Sequence, residues 1–181
     1  METGAFLTRG TIWVSIVGYA IGSVIFALSY SARRRADSSR RSERLDSATR
    51  VIWTVACAGL FAHFVSAFHF YHGWSHAAAY EDTARQTREL FGLNWGGGVF
   101  INYLLLVAWM IDVGWWWASG LDSYRKRPLW LLVAWHGFLI FIIFNATVVF
   151  GDGIVLPVGV AICLVLTTAW AGVIRARGLA R

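Results

Sequence analysis

The stretch Phe138-Leu139-Ile140-Phe141-Ile142-Ile143-Phe144 decides the fold. It has no polar side, so it lacks the strict alternation of a membrane β-strand and the polar face of a soluble surface helix. The apolar run around it covers 129–150, and a helix needs about 20 such residues to cross roughly 30 Å of hydrocarbon. The sequence therefore predicts a membrane-spanning helix here.

Four further stretches have the same apolar character. Together the five predict an all-α, polytopic membrane bundle, because a spanning helix satisfies its own backbone hydrogen bonds. Of the 181 residues, 14% are charged, against about a quarter in soluble domains. We expect a single integral membrane domain over 1–181. The predicted transmembrane helices cover 12–30, 51–71, 99–118, 129–150 and 154–174.

The basic residues are distributed unevenly between the two sides of the predicted bundle. By the predicted spans, thirteen of the 16 Lys and Arg residues fall on one side, and the positive-inside rule makes that side cytoplasmic. The N-terminus is then outside and the C-terminus cytoplasmic, and we expect a bacterial inner membrane. Topology also explains the net charge of +6, so we expect no nucleic acid. The expected partners are the lipid bilayer and, as further candidates, other membrane subunits or a homo-oligomer.

The external segment 77–91 predicts a short amphipathic helix on the outer surface. Gly92 follows it as a C-cap. Glu81 precedes Arg85 by four residues, a favourable spacing for an ion pair. The glycine run 96–98 predicts a tight start to the third span. The apolar positions that define the helix are Tyr80, Ala84, Thr87 and Phe91.

Tryptophan side chains concentrate near the ends of the predicted spans. Trp rings prefer the boundary between lipid and water, so the pattern predicts an aromatic belt. The members of this predicted belt are Trp13, Trp53, Trp74, Trp95, Trp115, Trp116, Trp117, Trp130 and Trp170.

Four of the five histidines lie in the segment 63–76, and three of them lie at the outer end of the second span. On one continuous helix His69, His72 and His76, here called the outer histidines, fall within roughly 60° of one another. Spacings of three and four residues can direct imidazoles to one ion, so the pattern predicts a site for copper, iron or zinc. Asn102 and Asn145 lie at a similar depth as polar support. The alternative is that these rings bind water and lipid headgroups.

A b-type haem is the second candidate cofactor. It usually needs one histidine from each of two helices, and His136 is the one histidine outside the second span. His63 lies nearest to it in depth, with a mismatch of roughly 9 Å at 1.5 Å rise per residue. Asp112 shares the inner layer with His136. Those two residues either form a buried pair, or act as a proton relay or as ligands.

The leading interpretation is a small integral membrane protein whose outer histidines bind a transition metal or haem, with a role in redox or electron transfer. One alternative is a metal-free structural subunit or assembly factor of a membrane complex. Another is a proton- or ion-coupled transporter that uses Asp112, His136 and His63. No nucleophile, dinucleotide or metalloprotease motif is present, so the sequence assigns no catalytic residue.

Overall fold

The computed structural model describes residues 2–34 and 39–178, without the side chains of 31–34 and 39–42. The described part of the chain is mainly helical and contains no strand, which confirms the predicted fold class. A π-helical turn, Asn145–Val149, follows α5. The helices are α1 (Glu2–Arg34), α2 (Ser39–Phe70), α3 (His76–Phe91), α4 (Gly98–Arg125), α5 (Leu129–Phe144) and α6 (Val155–Gly178).

Within residues 2–34 and 39–178, five helices are long and apolar enough to cross a membrane, as the sequence predicts, and the chain is a multi-pass membrane protein. The helices extend beyond the predicted spans, most clearly at the start of α1 and α2. Hydropathy locates the part of a helix that lies in hydrocarbon, whereas the helix itself continues until a residue breaks it. The spanning segments are Glu2–Tyr30, Glu43–Phe70, Gly98–Arg125, Leu129–Val149 and Val155–Gly178.

The chain divides into two compact units, and the first consists of Met1–Ser15 and Val55–Gly114. In this unit the start of α1 packs closely against the end of α2. A Cβ atom on Gly59 would lie 3.1 Å from the carbonyl oxygen of Thr11. Small residues of this kind let two spanning helices approach each other in a membrane.

Helix α3 also belongs to the first unit and occupies the predicted segment 77–91. Ser75 caps its N-terminus by accepting a hydrogen bond from the Ala78 amide, and Gly92 ends it at φ 71°. A Cβ on Gly96 would overlap the carbonyl oxygen of Tyr80. The glycine run therefore passes directly against α3, which confirms the tight start of the third span. That α3 lies on the outer membrane surface stays a prediction.

The second unit consists of Ile16–Thr54 and Trp115–Arg181. Its helices α5 and α6 meet at the π-helical turn. A Cβ on Gly159 of α6 would overlap the Oγ1 atom of Thr147, and the Thr147 hydroxyl donates a hydrogen bond to the Ile143 carbonyl. Only a residue without a side chain fits at this crossing.

Three tryptophans of the predicted belt lie in the core of the second unit instead. Trp53 and Trp116 are each 1% exposed and Trp170 is 3% exposed. The centroid of the Trp53 ring lies 6.0 Å from that of Trp116 and 6.4 Å from that of Trp170. The helices that carry Trp53 and Trp116 continue past the predicted spans. These two residues therefore lie inside their helices, although the sequence suggests that they lie at span ends.

We predict that Gly159→Ala destabilises the second unit, because the added methyl group overlaps the Thr147 side chain. Overpacking of this kind costs about 1–3 kcal/mol. The measurement is the free energy of unfolding in mixed micelles. Gly172→Ala on the same helix is the control, since a Cβ there meets nothing within 4 Å. Equal stability of the two variants would contradict the described crossing.

Candidate functional site

His63 lies half-buried on α2 and is fixed by a backbone contact to α1. Its Nδ1 atom is 2.9 Å from the carbonyl oxygen of Thr8. A carbonyl oxygen only accepts hydrogen bonds, so Nδ1 carries the proton and donates it. In the neutral ring the lone pair available for coordination is then on Nε2. This tautomer can coordinate a metal through Nε2.

The predicted arrangement of the outer histidines on one helix is wrong. Gly73 and Trp74 adopt positive φ values of 54° and 62° and end α2. His69 lies on the last turn of α2, His72 lies in the turn, and His76 is the first residue of α3. The three side chains therefore do not share one helical face.

Each outer histidine has its own neighbours. Among the described residues, no group of three or more His, Cys, Asp or Glu side chains is close enough to hold a metal ion. Metal binding at these positions stays a prediction. The neighbours are Phe70 for His69 (4.6 Å between ring centroids), Phe68 for His72 (5.5 Å), and the Tyr103 hydroxyl for His76 (2.9 Å from Nδ1).

The charged face of α3 forms ion pairs within its own helix. Arg85 donates to the carboxylates of Asp82 and Glu89, rather than to Glu81 as the spacing predicts. The hydrogen bond and the charge of Asp82, with those of Glu89, raise the pKa of Arg85 above its ordinary value. All of these groups lie at or near the surface, so the pairs stabilise α3 weakly.

His136 lies in an aromatic enclosure inside the second unit and is 3% exposed. A hydrogen bond of 3.1 Å joins its Nδ1 atom to the Tyr19 hydroxyl. The Trp170 ring stacks on the imidazole with 3.3 Å between centroids, and the Trp53 ring meets it edge-on at 5.5 Å. The ring is thus held on one face, at one edge and at Nδ1.

The remaining predicted site residues have different surroundings. Asp112 is buried in the first unit, whereas His136 belongs to the second unit, and their predicted pairing stays a prediction. Asn102 is exposed on α4. Asn145 donates a hydrogen bond from its side-chain amide to the Phe141 carbonyl at 2.8 Å, so this hydrogen bond joins residues four apart in the chain.

A buried ion pair in the second unit was not predicted. Asp46 is 1% exposed and accepts hydrogen bonds from Ser29 and from the guanidinium of Arg125. Arg125 also donates to the Ser29 hydroxyl at 2.6 Å. These residues join α1, α2 and α4. The opposite charges of Asp46 and Arg125 partly compensate each other's cost of burial.

We predict that Asp46→Ala lowers the free energy of unfolding by about 3–5 kcal/mol, because Arg125 keeps its charge without this carboxylate. Glu43→Ala is the control on the same helix, since Glu43 is exposed and its loss should stay within about 0.5 kcal/mol. Unfolding in mixed micelles measures both. Similar losses in the two variants would contradict a buried pair.

We predict that Tyr19→Phe is more destabilising than Tyr103→Phe. Each change removes a hydroxyl that bonds a histidine Nδ1, but His136 is buried and His76 is exposed. Water replaces the lost partner of His76, whereas the buried group bears a penalty of about 1–3 kcal/mol. The readout is the thermal midpoint of the purified protein, and an equal fall for both variants would count against the enclosure.

In comparisons with known proteins, no family model, no curated protein and no solved structure matches this chain.

Proposed function

We propose that the protein is a small electron-transfer protein of the membrane that binds a b-type haem, whose iron His63 would hold. The observation that supports this is the hydrogen bond from His63 Nδ1 to the Thr8 carbonyl. Histidines that ligate metals typically donate their second ring N–H to a carbonyl or carboxylate, which fixes the ring and strengthens Nε2 as a ligand. The haem iron would carry the transferred electron.

Haem fits a single oriented histidine better than a bare metal ion does. The macrocycle supplies four of the iron ligands, so the chain needs to provide one or two. A bare zinc or copper ion instead draws three or four ligands from the protein. His63 lies among apolar neighbours such as Phe64, whose ring centroid is 6.3 Å away, and an apolar shell suits a membrane haem.

His136, the other histidine that the sequence predicts as a haem ligand, belongs to the second unit, so the proposal rests on His63 alone. The His136 ring is packed against the rings of Trp170 and Trp53. We further propose a bacterial inner membrane with the N-terminus outside, on the basis of the asymmetry of the basic residues. A metal-free subunit or assembly factor is the competing function.

We predict that the protein, purified from membranes of cells supplied with a haem precursor, contains about one haem per chain. The Soret band of the oxidised and reduced protein and a pyridine haemochrome assay measure it. His63→Ala should lose the band, because the axial ligand is gone. His69→Ala is the matched control and should retain the band. His69 contacts Phe70 and Trp74 at the end of α2 and in the turn after it.

Other outcomes separate the alternatives. About one equivalent of copper, iron or zinc without haem, lost in His69→Ala and His72→Ala, would support the outer histidines as a metal site. Protein with neither haem nor metal would overturn the proposal in favour of the metal-free subunit. A Soret band that persists in His63→Ala would overturn the assignment of His63.

A further inference from the structure

An open groove lies between α1 and α6 within the second unit. Its volume is about 460 Å³, which falls within the range of about 300–1,000 Å³ that ligand pockets occupy. The groove is therefore large enough to hold a bound molecule. Its walls include Val24, Ala27 and Leu28 of α1 and Leu164, Thr168 and Gly172 of α6.

The lining of the groove is suited to an apolar molecule. Among its described lining residues, the one polar side chain is Thr168, and the Thr168 hydroxyl already donates a hydrogen bond to the Leu164 carbonyl at 2.7 Å. Gly172 leaves space in the groove, since a Cβ there would meet nothing within 4 Å. A space between helices that stays empty forfeits dispersion contacts, so a hydrocarbon chain is favoured as its occupant.

The position of the groove suits the upper part of an acyl chain. It lies near the ends of two spanning segments, Glu2–Tyr30 and Val155–Gly178. On α6 the lining extends from Leu164 to Gly172, which corresponds to about 12 Å at 1.5 Å rise per residue. Leu28 and Leu164 are exposed, so a lipid can enter the groove from the side.

A positive charge follows the groove on the same face of α6. Arg175 lies three residues after Gly172 and seven after Thr168, and side chains at these spacings share one face of a helix. Arg175 is exposed. Within residues 2–34 and 39–178, its side chain forms no hydrogen bond or ion pair with another residue. Its guanidinium is thus accessible to a partner outside the chain.

Arg177, two residues further on, is engaged within the second unit instead. It donates through Nη2 to the carbonyl oxygen of Arg127 at 2.9 Å and to that of Arg125. Its guanidinium is therefore held against the turn 125–127 at the end of α4. Of these two arginines of α6, Arg175 is the one that continues the groove.

We propose that the groove and Arg175 together bind an anionic phospholipid, with an acyl chain in the groove and the phosphate at Arg175. Arg175 lies about 4.5 Å beyond Gly172 along the helix axis, and only a few bonds separate the phosphate of a phospholipid from its chains. A guanidinium matches phosphate in charge and geometry, and basic groups at the ends of spanning helices bind anionic headgroups. The site lies in the second unit and His63 in the first, so it does not depend on a haem.

The test of the charge is a lipid titration of the purified protein in neutral detergent micelles. Phosphatidylglycerol should raise the thermal midpoint at lower concentration than phosphatidylcholine with the same acyl chains. Arg175→Gln should weaken the apparent affinity for phosphatidylglycerol about fivefold, as expected for the loss of one basic residue near an anionic headgroup. Lys126→Gln removes a charge from an exposed position outside the groove and should keep the wild-type affinity.

The test of the groove uses added bulk. Gly172→Leu should abolish the preference for phosphatidylglycerol, because its side chain occupies the space of the acyl chain. Ala171→Leu adds an apolar side chain at an exposed position outside the groove and should leave the preference unchanged. If Gly172→Leu does not fold, Thr168→Phe fills the groove one turn earlier. Glycerol 3-phosphate carries the phosphate without chains and should not shift the midpoint.

Three results would overturn the proposal. The first is a shift with glycerol 3-phosphate as large as that with phosphatidylglycerol, which would identify free phosphate as the ligand. The second is wild-type affinity for phosphatidylglycerol in Arg175→Gln or in the folded groove variant. The third is a dimer in detergent that Gly172→Leu dissociates, which would assign the groove to a second copy of the chain.

Discussion

Hydrocarbon offers no hydrogen-bond partner, and this constraint governs every polar side chain inside the helices. The chain meets it by pairing polar groups across helices. Asp46 pairs with Arg125 and Ser29, and His63 pairs with a carbonyl oxygen of the facing helix. Because each pair requires one relative position of its two helices, the polar groups fix positions along the helices that apolar packing alone leaves open.

The five spanning helices could be predicted from the sequence because each contains a long, mostly apolar run, in which the one acidic residue is Asp112 of the third span. A run of that length and composition favours a spanning helix in lipid. The ends of the helices could not be predicted. Nothing in the residues before Ile12 stops α1, so it begins at Glu2. The start of α2 extends in the same way, to Ser39. Trp53 therefore looks like a boundary residue in the sequence, whereas it is a core residue in the structure.

The candidate site could be predicted only in part. His63 and His136 were singled out because ionisable residues are rare in spanning helices, and both prove to be oriented by hydrogen bonds. The outer histidines were grouped on the assumption of a continuous helix. Gly73 is a visible signal for its end, but the positive φ of Trp74 has no counterpart in the sequence. Asp46 was missed because its partner is distant along the chain.

The contact of Arg177 with the carbonyl oxygens at the end of α4 also bears on biogenesis. Those oxygens are synthesised well before α6 leaves the ribosome, so this end of the second unit remains open while α5 is being inserted. Closure has to wait until α6 has entered the bilayer. During that interval the turn 125–127 lacks its contact with Arg177, and the completion of α6 supplies it.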